Sequence, residues 1–318
     1  MTSIGGFEGG TEGGARERMY IKGHCSPGDS DVEGSCLDDD LLKEIANEIG
    51  VDTNQKIKTI HGDIAETMEK KTDCKTERCW LNKLKNKLTK AEIQEFKRSF
   101  KPDMPKKWEE DHNEWLTTED IEKVMGQYAE AFNDVYFYGA VPIDFSKCSV
   151  SNLCSFNLRK HLQRKEHKIG IVFNTDPHNE DGEHWITMGI FIRKPQLNPQ
   201  IRVRTKRKSK KERLPKGRLD IYYFDSFGRK PPKEIQAFVE KVEKQARKCK
   251  METEYHYNDI RHQKGDSQCG VYAIHFLDNM LTDKMTFQEY LQMRPTDQDM
   301  IEYRRKAFIP LSESGCKQ

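Results

Sequence analysis

Between Val135 and Ile260 the sequence carries five short runs rich in β-branched and aromatic residues: VYFYGAV (135–141), KIGIVFN (168–174), HWITMGIFI (184–192), LDIYYFD (219–225) and TEYHYNDI (253–260). Runs of this length and composition read as strands. Upstream, the apolar residues fall three and four apart, the spacing of amphipathic helices. Asp38 to Asp40 open the first helix, Leu41, Leu42, Ile45 and Ile49 line it, and Gly50 stops it. Ile57, Ile60, Ile64 and Met68 continue the pattern, followed by Trp80, Leu81, Leu84 and Leu88, and by Ile93, Phe96 and Phe100 after a capping Thr89. Lys101, Pro102 and Pro105 then mark a linker.

Helices also flank the strand runs. Thr117 and Asp120 form a capping-box-like start for a helix carrying Ile121, Val124, Met125, Tyr128 and Phe132. Pro231 and Pro232 open another, with Ile235, Phe238, Val239 and Val242 on one side. A further helix starts close to Cys269, and Thr296 caps a last one with Met300, Tyr303 and Phe308. The expected organisation is a Gly-rich tail over 1–35, a helical unit over 36–107, and a mixed α/β or α+β domain over 108–318.

Composition narrows the partners. Lys+Arg 54 against Asp+Glu 52 leaves a net charge of +2, so no whole-chain excess calls for a nucleic-acid or membrane partner. No apolar run approaches the roughly 20 residues of a membrane helix, and the Gly-rich start lacks the basic and apolar regions of a signal peptide. A soluble, non-secreted protein is expected. The nine cysteines are an odd number without CxxC spacing, which predicts free thiols in a reducing compartment and neither disulfides nor a structural zinc. Cys74 and Cys79, and likewise Cys148 and Cys154, are read as core thiols. No metal or cofactor is expected.

Three segments place chemically capable side chains at the ends of elements: GEHWITMGIF (182–191), IYYFDSFG (221–228) and RHQKGDSQCGVYAIHF (261–276). Cys269 stands where a turn passes into a helix, and both a helix N-terminus and a nearby imidazolium favour a nucleophilic thiolate. His184 heads one strand as the candidate base. Asp225 ends the next as the candidate orienting group. Gln263, six residues before Cys269, is a candidate donor to a developing oxyanion. Taken singly, each has an ordinary structural role: a buried small thiol, a strand-end histidine, a turn-forming aspartate. Together they support acyl transfer through a thioester.

The order His-Trp, then an acid after a Tyr/Phe-rich strand, then Gln-x5-Cys-Gly resembles the adenain-like cysteine proteases, the group that includes the adenovirus protease and the SUMO proteases. Within it, VFNTDPHNEDGEHW, YYFDSFGRKPP, DIRHQKGDSQCG and RPTDQDMIEYRRKAF are similar to the branch of the African swine fever virus polyprotein protease and its giant-virus relatives. CKTERCWL (74–81) resembles part of the helical arm those viral enzymes add. The resemblance implies an α+β, papain-like fold with a central mixed sheet. It makes Cys269 the nucleophile, His184 the general base and then acid, Asp225 the orienting residue and Gln263 the oxyanion donor, with Trp185 shaping a narrow channel for Gly-Gly. At the third position Asp225 follows the SUMO-protease pattern. The implied activity is cleavage after Gly-Gly in viral structural polyproteins, in the virion and host cytoplasm. The alternative is deconjugation of a ubiquitin-like modifier, in which case the host nucleus is also a candidate location.

Two features lie outside that set. RVRTKRKSKKERLPKGR (202–218) holds ten basic residues against Glu212 alone, and reads as a solvated loop, a contact for nucleic-acid phosphates or a nuclear-localisation-like signal. The module could then be a binder of nucleic acid or Gly-Gly tails. Gly5-Gly6, Gly9-Gly10 and Gly13-Gly14 recur every four residues, as an entropic tail or as a Gly-Gly substrate carried by the chain itself.

Overall fold

The computed structural model describes residues 24–27, 35–111, 113–193 and 217–310. They group into two compact units, one ending at Lys106 and resuming at Arg305, the other running from Lys107 to Arg304. Residues from Arg305 onward thus group with the first unit, whereas the sequence pattern assigns them to the strand-bearing region. Among the described residues no helix is long and apolar enough to cross a membrane.

In the first unit α1 (Asp39–Ile49), α2 (Ile57–Thr72), α3 (Glu77–Leu84) and α4 (Lys90–Arg98) follow one another. Their ends are set by the residues the sequence offers. The Asp38 carboxylate accepts from the Leu41 N–H, Gly50 closes α1 at φ 80°, and Thr89 with Glu92 forms a complete capping box on α4. Leu41, Ile45, Ile60, Ile64, Met68, Trp80 and Phe96 form one buried core.

The cysteines depart from expectation. Cys25–Cys36 and Cys74–Cys79 are disulfides in this unit, and Cys148–Cys154 is a third in the other, with Cα separations of 5.0, 5.4 and 5.2 Å. Cys74, Cys79, Cys148 and Cys154 are therefore bridged rather than free core thiols. Partners lie only 5 to 11 residues apart, at spacings that have no signature of their own. Cys249 and Cys269 are the free thiols among the described residues, and Cys316 lies outside them.

The second unit orders its elements as α5 (Lys107–Glu110), α6 (Thr118–Ala131), β1 (Val135–Pro142), a 3-10 turn (Asn152–Ser155), α7 (Leu158–Arg164), β2 (Lys168–Asn174), β3 (Trp185–Arg193), β4 (Arg218–Phe224), α8 (Lys233–Lys248), β5 (Glu252–Tyr257), α9 (Cys269–Leu281), α10 (Phe287–Met293) and the greater part of α11 (Asp297–Ala307), up to Arg304. The strands form one mixed sheet in the order β1-β2-β3-β4-β5, antiparallel at its centre and parallel at both edges. The pleat sorts side chains by parity. Ile169, Ile171 and Phe173 of β2, Ile186, Met188 and Ile190 of β3, and Leu219, Ile221 and Tyr223 of β4 share a core with Ile235, Phe238 and Val242 of α8. The opposite face receives α9. There the bare backbone of Gly170 admits Leu277 and Leu281, whose methyls would stand 3.3 and 3.2 Å from any Cβ, and Phe224 stacks on Phe276 at 4.9 Å. α7 and α10 are short helices beyond the sequence reading, although Thr286 and Glu289 cap α10 with a legible box.

Candidate active site

The antiparallel pairing of β3 and β4 matches Thr187 with Phe224. The start of one strand therefore lies beside the end of the other, and the residues just outside them, His184 and Asp225, become neighbours. The imidazole Nε2–H donates to Asp225 Oδ1 at 2.7 Å. α9 begins with Cys269, whose thiol stands close enough to His184 to help raise the pKa of the ring. Since Nε2 is taken by the carboxylate, Nδ1 is the nitrogen left for sulfur. An anionic sulfur at the first residue of a 13-residue helix also faces the positive end of the helix dipole. All three side chains are buried, at 5, 1 and 2% exposure for His184, Asp225 and Cys269.

The electrostatics favour a protonated ring. Burial lowers the His184 pKa, but the hydrogen bonds and charges of Asp225 and Cys269 outweigh it and raise the value to about 9. Asp225 is itself held rigidly. Its N–H donates to Asn258 Oδ1 at 2.8 Å, Asn258 Nδ2 donates back to the Asp225 carbonyl at 2.8 Å, and the Phe227 N–H donates to Asp225 Oδ1 at 2.8 Å. Asn258 follows β5, the parallel neighbour of β4, so the end of the outer strand braces Asp225.

Gln263 is completely buried. Its Oε1 accepts from the Ser226 hydroxyl at 2.7 Å and its N–H donates to the Ser226 carbonyl at 2.9 Å, while Nε2 has no hydrogen-bond partner. A buried amide donor without an acceptor is costly to keep, and Ser226, next to Asp225, fixes which end of the amide is spent. Trp185 is buried and packs on the first turn of α9. Its indole N–H donates to the Leu116 carbonyl at 2.9 Å, and a Cβ on Gly270 would come within 3.1 Å of the ring. Behind Cys269, Arg304 stacks on Trp108 at 4.4 Å and donates to Gln268 Oε1 at 3.2 Å and to the Glu114 carbonyl at 2.8 Å. Burial lowers its pKa to about 10.

The structure thus joins His184 and Asp225 directly, sets Cys269 near His184, and ties Gln263 to the residue after Asp225. Ser226, Asn258 and Arg304 are additions that sequence reasoning missed. Of the basic run 202–218 only Gly217 and Arg218 are described, and the Arg218 guanidinium pairs with Asp220 at 2.7 Å and Glu254 at 3.3 Å. The Gly-Gly tail lies wholly outside the described residues. Among the described residues no cluster of His, Cys, Asp and Glu is placed to hold a metal ion.

A thiol at a helix start, an imidazole beside it and a carboxylate bonded to that imidazole are the groups that acyl transfer through a thioester needs. Residues 168–317 match the Ulp1 protease family, C-terminal catalytic domain. It is 31% identical over 186 residues to a protein of Acanthamoeba polyphaga mimivirus provisionally named a thiol protease, covering 55% of this chain and 54% of that one. A cysteine protease of African swine fever virus is 25% identical over 150 residues, 47% of this chain and 46% of the relative. The chain spans about half the length of the curated relatives it matches. Its fold is that of the crystal structure of the African swine fever virus protease, with a TM-score of 0.62 at 19% identity, over 92% of this chain and 98% of that one.

Proposed function

We propose that the protein is a cysteine endopeptidase that cleaves after Gly-Gly in viral structural polyproteins. The observation that carries the reading is the imidazole of His184, bonded to the Asp225 carboxylate and raised in pKa by both Asp225 and Cys269 at the start of α9. In the acylation step the thiolate attacks the carbonyl carbon and the carbonyl oxygen becomes an oxyanion. The free Nε2–H of Gln263 and the Cys269 N–H are the donors suited to it. Collapse of this intermediate breaks the C–N bond, and His184 gives its proton to the departing amine. Water then attacks the thioester while His184 takes its proton, and the C–S bond breaks to return the thiolate and release the acid.

The Gly-Gly preference rests on the family resemblance and has a physical basis, since two residues without Cβ fit a slot too narrow for side chains. The helical unit as a viral-type arm, and action in the virion or host cytoplasm, belong to the same reading. A second reading, deconjugation of a ubiquitin-like modifier, is favoured by Asp225 and by the name SUMO-1 cysteine protease given to an African swine fever virus relative. Incubating wild type and Cys269→Ala with Gly-Gly-X peptides and with a SUMO-linked substrate tests both. Cleavage of the peptides by wild type alone supports the first, cleavage of the linked substrate alone supports the second, and equal products from both proteins refute the peptidase.

A further inference from the structure

Beside the catalytic imidazole, the loop from β4 to α8 meets the loop from β5 to α9. Gly228, at φ +67°, makes this possible: a Cβ there would stand 2.6 to 2.9 Å from the backbone of Ile260 and Arg261. The two loops enclose an open pocket of about 420 Å³ lined by Phe227, Arg229, Arg261, Lys264, Gly265 and Asp266. Phe227 is its link to the chemistry, because one side of its ring packs on the His184 ring at 4.8 Å. The guanidinium carbons of Arg229 and Arg261 lie 4.7 and 5.2 Å from the same ring. Arg261 is pinned further, donating to the carbonyls of Gln263 at 2.7 Å and Lys264 at 3.2 Å.

Three cations thus share one pocket with a single carboxylate, Asp266, and among the described residues none of the three makes an ion pair. Cations gathered on an aromatic ring repel one another, and an anion entering between them relieves that repulsion. The side of the site is set by the chemistry. His184 delivers its proton to the departing amine, so the chain bearing that amine runs past the imidazole and onto Phe227.

We infer that this pocket is a substrate subsite on the leaving-group side of the scissile bond, and that it takes an acidic side chain. The inference rests on the peptidase reading and adds a specificity to it. Arg229 and Lys264 are the specificity-determining charges, since Arg261 is engaged with backbone carbonyls.

The test is a set of Gly-Gly-X peptides with Glu, Gln or Lys at each of the first few positions after the cut. Wild type should favour Glu over Gln at one of these positions by roughly tenfold in kcat/KM, and the ratio should shrink as salt rises. In Arg229→Glu/Lys264→Glu the ratio should invert in favour of Lys. Equal ratios in the two enzymes, or an acidic preference found only before the cut, would overturn the subsite. Should the double variant not fold, Lys264→Gln at the exposed position supplies the comparison, and an undiminished Glu preference there counts against the proposal. If wild type cleaves no peptide, the peptidase reading falls by itself. Fluorescence anisotropy of Glu and Gln peptides on Cys269→Ala then decides the pocket, and equal affinities reject it.

Discussion

Replacing Asp225 by Ala removes the first of the interactions that keep a proton on His184. Burial alone lowers the ring pKa, yet the balance of contacts lifts it from 6.5 to about 9. That rise corresponds to about 3 kcal/mol of preference for the imidazolium. Without Asp225, burial is opposed by the Cys269 thiol alone, and the value should fall toward or below 6.5. With the imidazolium as the proposed acid for the leaving amine, the alkaline limb of kcat/KM should lie near pH 9 in wild type and at least about one pH unit lower in Asp225→Ala. Asp225→Asn keeps an acceptor for Nε2–H without the charge, and should fall between them. A fluorogenic Gly-Gly peptide measured at constant ionic strength gives the limb, and the pH dependence of Cys269 alkylation follows the same ion pair without turnover. Stability must agree in sign. A pKa raised by folding stabilises fully below about 6.5 and loses that contribution as the pH rises through about 9, so Asp225→Ala should cost more stability at pH 6 than at pH 10. An alkaline limb and an alkylation profile that both stay in place would refute the assignment of Asp225 as the group holding that proton.

Cys269→Ala and His184→Ala should each abolish peptide cleavage, read by mass spectrometry of the products. Gln263→Ala should lower kcat by roughly 10²-fold or more with a smaller change in KM; Ser226→Ala, which leaves the amide but frees its Oε1, should lose about tenfold in single-turnover acylation. Gly270→Ala should lower thermal stability by about 1–3 kcal/mol, because its Cβ would lie 3.0 Å from Leu116 and 3.1 Å from Trp185. Thiol titration of the denatured protein should find six fewer thiols without reductant than with it, matching the three disulfides.

What could be read from the sequence and what could not divide along a physical line. His184, Asp225 and Cys269 stand at the boundaries of elements whose periodicity is strong, and boundary residues of neighbouring elements are brought together by pairing rules alone. β3 and β4 are antiparallel neighbours, so the head of one and the tail of the other had to meet. Ser226, Asn258 and Arg304 act through partners 33 to 37 residues away, reached by hydrogen bonds, and a lone Ser, Asn or Arg has no periodic context that betrays such a bond. The disulfides failed for a related reason: an odd count and irregular spacing carry no information on which thiols the loops bring within reach. The same division separates chemistry from specificity. Cys269, His184 and Asp225 are placed by sheet order and by the start of α9, whereas the basic pocket arises where two loops touch at Gly228, whose positive φ and missing Cβ are needed for the contact. Substitutions in the strands should therefore alter whether the enzyme works, and substitutions in the two loops which substrates it accepts.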